Sequence, residues 1–323
     1  MTIRIAVLDD WQGVARASAD WSALEARAEI SFFEDAVPDE DAAAARLADF
    51  DIVMSMRERT PFPASLIARL PKLRMLSVTG ARNKSVDLGA LAERGIVVTG
   101  TESGEDGSAT AELALLLMLE GARRVAAGDA AIRAGGFQSG IAPGFVLRGR
   151  TLGLVGLGRL GSLMAGYGKA LGMSVLAWSP NLTPERASAG GATFAQKDEL
   201  LGRADVISLH MVLAPATRGI LGAREIGLMK PGAILVNTSR GPLVDEAAML
   251  AALQAGRIVA ALDVYDREPL PAEHPLRSAP NTILSPHLGY CVRENFAVFY
   301  RQSIENVLAF LDGAPTRLLT DGA

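Results

Sequence analysis

The stretch "TLGLVGLGRLGSLMAGYGKALGMSVLAWSPN" (151–181) decides how the rest of the chain is read. An apolar run ends in GLGRLG, a helical stretch (159–172) follows, and a second apolar run closes on WSPN. Strand, glycine turn, helix and strand form the context in which G-x-G-x-x-G spacing signals dinucleotide binding. In a chain with 33 glycines the spacing alone arises by chance. Gly156 allows the tight turn, Gly158 lets the backbone approach a pyrophosphate, and Gly161 lets the helix pack closely on its strand. Arg159, Leu160 and Gly161 bring the first amides of the helix, at the positive end of its dipole. The alternative is an ordinary tight strand–helix turn that binds nothing.

Outward from this unit the same alternation continues. Short β-like runs at 3–9, 28–33, 51–56, 73–80 and 96–100 precede it, separated by Ala/Leu-rich helical stretches. Runs at 174–179, 205–210, 233–239, 258–265 and 282–287 follow it. Such alternation implies an α/β fold with parallel sheets covered on both faces. The series restarts after a long helix near 105–127, for which Ser108 or Thr110 is the candidate cap. We therefore expect two domains, a first in residues 1–99 and a second, carrying the glycine turn, in residues 100–289. The amphipathic tail "ENFAVFYRQSIENVLAFLDG" (294–313) is expected to return to the first domain, which then comprises 1–99 plus 290–323.

Composition bounds the function. A length of 323 residues suffices for two domains with buried cores. The net charge of −4 argues against a nucleic-acid-binding surface, which is normally basic. The densest apolar run, "LALLLML" (113–119), is far shorter than the roughly 20 residues that span a bilayer. The opening "MTIRIAVLDDW" reads as a first strand rather than a signal peptide. One cysteine, Cys291, excludes an intrachain disulfide, and no residues have zinc-ligand spacing. A cytoplasmic protein with no metal, no membrane contact and no nucleic-acid partner is the expectation.

Chemistry-bearing residues cluster at later strand ends, where open α/β sheets bind ligands. Arg240 follows the strand in "NTSRGPLVDE", Asp263 and Glu268 close "ALDVYDREPL", and His287 stands in "SPHLGY". The imidazole can exchange the proton of an alcohol or carbonyl, the glutamate can orient it, and the guanidinium can hold a carboxylate. Each has a plainer alternative. Arg240 can pair on the surface with Asp245 or Glu246, and Glu268 before Pro269 can be a solvated loop acid. Asp245 reads as a helix cap, His274 as surface, and His210 equally as a satisfied structural histidine.

Taken together, "GLGRLG", "SLHMVLAPATRGILG", "MKPGAILVNTSRGPLVDEAAML", "AALDVYDREPLP" and "SPHLGY" resemble the D-isomer-specific 2-hydroxyacid dehydrogenases, over nearly the whole chain. The resemblance implies two Rossmann-like domains with parallel sheets, a flavodoxin-like substrate domain and a dinucleotide-binding domain. It also implies a homodimer built through the cofactor domain. It places the family's catalytic arginine on Arg240, its glutamate on Glu268 and its acid–base histidine on His287. Asp263 matches the residue that binds the nicotinamide carboxamide. Thr217, Thr238 with Ser239, and the segment containing His210 and Met211 match positions lining the cofactor. The implied reaction is hydride transfer between nicotinamide and C2 of a 2-hydroxy or 2-oxo acid. A phosphite-oxidising relative, or a regulatory protein that senses NAD(H) without turnover, shares these motifs; a formate-oxidising relative is disfavoured by Glu268.

Two departures stand out. The substrate-carboxylate loop reads "GARNKSVD" (80–87), so Arg82 replaces a usual glycine beside Gly80 and Ala81. Arg57, in "MSMRERTPF" (54–62), adds a second guanidinium after a strand of the same domain. Either can select a substrate with a second anionic group, or both can pair with Glu58, Asp87 or other local acids. At the end of WSPN, Ser179 and Asn181 stand where NAD-binding folds place an acid for the adenosine ribose. No arginine follows immediately, since Arg186 lies beyond Pro184 and Glu185. This spacing predicts relaxed cofactor choice between NAD and NADP, with NAD slightly favoured.

Overall fold

The early runs at 51–56 and 73–80 are apolar on both faces, which places them inside a sheet covered from two sides. In the computed structural model, which describes residues 2–320, the residues up to Asp106 and those from Val292 form one unit. Residues Gly107–Cys291 form the other. The first unit holds β1 (Ile3–Val7), β2 (Ala28–Phe32), β3 (Ile52–Ser55), β4 (Met75–Val78) and β5 (Val97–Thr99). They pair in parallel in the order β2-β1-β3-β4-β5, which is flavodoxin-like. Every residue of β3 and β4 is buried. Leu8, Val53, Leu76 and Val78 pack with Phe62, Leu66 and Ile67 on one side of this sheet.

The helix Arg293–Leu311 belongs to this first unit and packs against β4 and the short helix Ala15–Ser18. Its buried face is unusually polar: Asn295, Gln302, Ser303 and Asn306 all lie on it. The amides clamp the chain leaving β5. Gln302 accepts from the Glu102 N–H (2.7 Å), Asn295 from the Gly104 N–H (2.8 Å), and Asn306 donates to the Gly100 carbonyl (2.9 Å). These bonds explain why residues 100–106 stay with the first unit rather than starting the second.

The second unit holds β6 (Thr151–Val155), β7 (Ser174–Trp178), β8 (Thr193–Phe194), β9 (Val206–Leu209), β10 (Ala233–Asn237), β11 (Ile258–Leu262) and β12 (Thr282–Leu284). The parallel order is β12-β11-β10-β9-β6-β7-β8, a doubly wound sheet with its reversal at β6. Side chains alternate between two cores, as strand geometry requires. Leu154, Val206, Ile234, Val236 and Ala261 face one, while Val155, Ile207, Leu209, Leu235 and Leu262 face the other. The two-residue edge strand β8 has no counterpart among the runs read from sequence. The long helix Ser108–Arg123 starts at Gly107 with no side-chain cap, and Thr110 instead donates to the Gly289 carbonyl (2.8 Å). Asp245 caps the helix Glu246–Gln254 by accepting from the Ala248 N–H (2.9 Å).

One buried acid of the first unit has a measurable consequence. Asp9 follows β1 in the left-handed region (φ 61°), 5% exposed, and accepts from the Thr60 hydroxyl at 2.9 Å. Burial pushes its carboxyl up to about 6, against the lowering effect of the Thr60 hydrogen bond and the nearby Arg59 charge. Well below pH 4 the group is neutral in folded and unfolded chains alike and costs nothing. Above about pH 6 it is ionised in both, and the fold bears the full cost, on the order of 2 to 3 kcal/mol. Asn tolerates the same backbone region. Asp9→Asn is therefore expected to raise the melting temperature by several degrees at pH 8, with the gain vanishing by pH 4. A gain independent of pH would contradict the assignment.

Candidate active site

In the second unit the chain leaves β6 at Gly156, whose φ of +103° suits glycine. A Cβ there would lie 2.3 Å from the His210 carbonyl oxygen. The Gly156 N–H donates to the Trp178 carbonyl (2.8 Å), tying the turn to the end of β7. A Cβ on Gly161 would lie 2.3 Å from the Gly156 carbonyl oxygen, so the helix Arg159–Ala170 sits directly on the turn. Gly158 differs from both. No atom lies within 4 Å of its Cβ position, so the protein itself does not require a glycine there. An open backbone face at the N-cap of a helix, followed by the amides of Arg159, Leu160 and Gly161, fits the pyrophosphate of a dinucleotide.

The residues expected to line the rest of that ligand fall into two groups. His210 and Thr238 carry buried polar atoms, Nδ1 and Oγ1, without a hydrogen-bond partner among the described residues. His210 Nε2 lies 2.9 Å from the Ser208 hydroxyl, and burial pushes the imidazole down to about 4, so it is neutral at physiological pH. Met211 covers Gly156. Thr217 and Ser239, by contrast, brace the backbone. Thr217 accepts from the Ala214 N–H (2.8 Å) and donates to the Val212 carbonyl (2.8 Å), and Ser239 donates to the Leu209 carbonyl (2.7 Å). Beyond β7, Ser179 accepts through its carbonyl from the Leu182 N–H (3.1 Å), closing a turn around Asn181.

The imidazole and the carboxylate meet in the loops after β12 and β11, and Arg240 follows the neighbouring strand β10. His287 Nδ1 lies 2.5 Å from Glu268 Oε2, and each side chain is 21% exposed. The other Glu268 oxygen accepts from the Tyr265 N–H (2.9 Å), which fixes the carboxylate as an acceptor for the ring. His287 is itself in the left-handed region (φ 55°). Asp263 holds the loop that carries it: its carboxylate accepts from the Ser285 hydroxyl (2.6 Å) and from the N–H groups of Leu288 (2.7 Å) and Gly289 (2.9 Å). Burial of this fully inaccessible acid raises its pKa. Arg240 leaves β10 in extended conformation, with Nη1 donating to the Ser239 carbonyl (2.8 Å) and its own carbonyl accepting from Asn237 (2.9 Å).

Two residues outside the sequence expectations join these loops. A Cβ on Gly241 would lie 2.2 Å from the Tyr265 backbone, so only a glycine lets the Arg240 loop approach the Glu268 loop. The Tyr265 hydroxyl donates to the Ser285 carbonyl (2.9 Å), joining the ends of β11 and β12. The "RGP" and "DVYD" segments contain both residues, but no local pattern announces the contact. His274, read as surface, instead meets Glu246 at 3.1 Å.

In the first unit the structure brings Arg57 to Gly80. Arg57 has φ 50°, its N–H donates to the Thr79 hydroxyl (2.8 Å), and Asn83 donates to its carbonyl (2.6 Å). Its guanidinium occupies the space where a Cβ on Gly80 would sit. Ala81 and Arg82 are exposed, and Arg82 lines a cavity of about 190 Å³ with Lys84, Val86, Val98 and Leu319. Among the described residues neither Arg57 nor Arg82 is paired with a carboxylate. Next to Arg57, Arg59 stacks over the Trp11 ring (4.4 Å), and the Trp11 indole N–H is buried without a partner. The acidic pair ahead of Trp11 marks only a strand end in the sequence, so this cluster escaped it.

Residues 115–289 match the family model described as the NAD-binding domain of D-isomer-specific 2-hydroxyacid dehydrogenases. The chain is 36% identical over 263 residues to D-3-phosphoglycerate dehydrogenase of Archaeoglobus fulgidus, covering 81% of this chain but 50% of that protein. It therefore spans about half the length of that relative. Hydroxypyruvate reductase of Blautia hydrogenotrophica is 31% identical over 325 residues, with 98% of this chain and 99% of that protein covered. The crystal structure of a phosphoglycerate oxidoreductase from Vibrio cholerae superposes with a TM-score of 0.90 at 36% identity, covering 97% and 100% of the two chains.

Proposed function

Because this chain belongs to the D-isomer-specific 2-hydroxyacid dehydrogenase family, we propose that it is a nicotinamide-dependent reductase of small 2-oxo acids. The observation that carries this reading is the His287–Glu268 pair at 2.5 Å with Arg240 on the adjoining strand end. The Gly156–Gly161 turn would hold the dinucleotide, which when bound would supply the hydride for C2 of the acid. His287 gives the substrate oxygen its proton as that oxygen takes up negative charge, acting as general acid. Glu268 orients the ring and fixes the proton on Nδ1, which assigns the exchange to Nε2. Arg240 grips the substrate carboxylate through its planar fork. Asp263 acts on the loop 285–289 and so positions His287. His210 and Thr238 bring buried polar atoms that have no hydrogen-bond partner among the described residues, the kind of group that calls for an explanation in a folded protein.

Substrate selection is assigned to the first unit. The amides of Ala81 and Arg82, beside Gly80, bind carboxylate oxygens, and the Arg57 guanidinium next to Gly80 favours an acid with a second anionic or polar group. A homodimer through the second unit accompanies this function. Leu116, Val125, Ile132, Phe137 and Val146 all lie in that unit and are each more than half exposed, apolar side chains of the kind that interfaces cover.

The test is a panel of 2-oxo acids with NADH and NADPH, followed by nicotinamide absorbance. Turnover on several acids is expected, with dicarboxylates or phosphorylated acids ahead of monocarboxylates of similar size. Arg57→Ala should reduce that preference by about tenfold, the scale of one charge-assisted contact. Unchanged ranking in Arg57→Ala and Arg82→Ala would remove both arginines from substrate selection. Dinucleotide binding without turnover on any acid would instead favour a sensor.

A further inference from the structure

We propose that Arg186, with Ser179 and Asn181, forms a binding site for the 2′-phosphate of the cofactor and that the chain selects NADP(H) over NAD(H). This inference rests on the dinucleotide-binding reading above. The sequence places Arg186 beyond Pro184 and Glu185, which removes it from the corner where the adenosine ribose is read. The fold brings it back. Thr183 caps the helix Pro184–Ala189 by accepting from the Arg186 N–H (3.3 Å), so Arg186 sits in the first turn. From there its guanidinium folds over and donates to the Asn181 carbonyl at 2.8 Å.

Three contacts hold the corner that carries Arg186 to the glycine turn. Val155 and Trp178 are register partners, and the Gly156 N–H donates to the Trp178 carbonyl (2.8 Å). The residues after Trp178 therefore start beside the glycine turn. The far end of the short helix is anchored as well: a Cβ on Gly190 would lie 2.7 Å from the Leu157 side chain, which belongs to the turn itself. Between these anchors, the Leu182 N–H closes the corner on the Ser179 carbonyl (3.1 Å).

The charges at this corner favour an anion. One of the five donors of Arg186 is used on Asn181, and among the described residues no carboxylate pairs with it. Positions 179–181 carry no acid, so the repulsion that excludes a 2′-phosphate from NAD-specific corners is missing. The one neighbouring acid, Glu185, is turned toward its own backbone N–H and the Thr183 hydroxyl, and these bonds lower its pKa. Ser179 and Asn181 add uncharged hydrogen-bonding groups. A guanidinium with open donors, two polar side chains and no competing carboxylate together make a phosphate site.

The test uses the ligand-free protein and two fragments, adenosine 2′,5′-bisphosphate and adenosine 5′-monophosphate, with binding read by calorimetry. The bisphosphate is expected to bind at least about tenfold tighter. Arg186→Ala should bring the two within about threefold, with the loss confined to the fragment that carries the 2′-phosphate. Asn181→Asp, which restores an acid to the corner, should reverse the order. Equal affinities in the unaltered protein, or an advantage that survives Arg186→Ala, would overturn the assignment. If neither fragment binds, the dinucleotide-binding reading itself fails, and this inference with it.

Discussion

Replacing His287 by alanine is expected to lower kcat for 2-oxoacid reduction by about a hundredfold or more, the usual scale for losing a general acid–base group. The expectation follows from what surrounds the ring. Glu268 is held by the Tyr265 N–H and meets Nδ1 at 2.5 Å, while Asp263 fixes the following backbone through Leu288 and Gly289. These contacts position one nitrogen and leave the proton chemistry to the other. The loss should fall on kcat rather than on dinucleotide affinity, because no part of the glycine turn depends on this side chain. His210 offers no substitute, since burial keeps it neutral down to about pH 4. Glu268→Gln separates orientation from proton transfer. The amide can still hold the ring but in either tautomer, so an intermediate loss is expected. Steady-state kinetics at saturating cofactor decide the matter, and near-normal turnover in His287→Ala would sink the assignment.

The second large effect separates two glycines three positions apart. Gly161→Ala places a methyl carbon 2.3 Å from the Gly156 carbonyl oxygen, a backbone atom that cannot rotate away. The helix Arg159–Ala170 or the turn must shift, at a cost of about 1 to 3 kcal/mol or more. In a unit of this size that lowers the melting temperature by several degrees. Gly158→Ala meets nothing within 4 Å, and its φ of −86° suits any residue. Its stability cost should stay below about 1 kcal/mol, the difference between Gly and Ala at a helix N-cap. Dinucleotide affinity should nevertheless fall about tenfold or more, because the methyl group takes the space through which a pyrophosphate approaches. Thermal melts and cofactor titration of both variants give a clean contrast. A Gly158→Ala protein that binds dinucleotide normally would show that the open face is not the cradle.

Much of this was legible before any coordinates. The alternation of apolar runs marked both parallel sheets, because a strand buried on two faces is apolar throughout. Arg240, Glu268 and His287 could be singled out because each follows an apolar run at a strand end. The domain boundary was less visible. Residues 100–106 are held to the first unit by Asn295, Gln302 and Asn306, amides that read as the polar face of an amphipathic helix. The long helix begins at Ser108 with Gly107 as its N-cap, and Thr110 is engaged by Gly289, far along the chain.

By itself the sequence determined the architecture, the glycine turn and the identity of the residues able to do chemistry. These depend on period, spacing and residue type, which neighbours in the chain express directly. Tertiary structure alone decided which of those residues meet. Asp263 reaches the His287 loop because β11 and β12 lie side by side, and Gly241 reaches Tyr265 because β10 adjoins β11. Arg57 lies against Gly80 because β3 pairs with β4. Arg186 returns to Asn181 because a capped turn reverses the chain. Strand register and a folded-back side chain leave no periodic trace in a sequence, so the geometry of the site had to come from the fold.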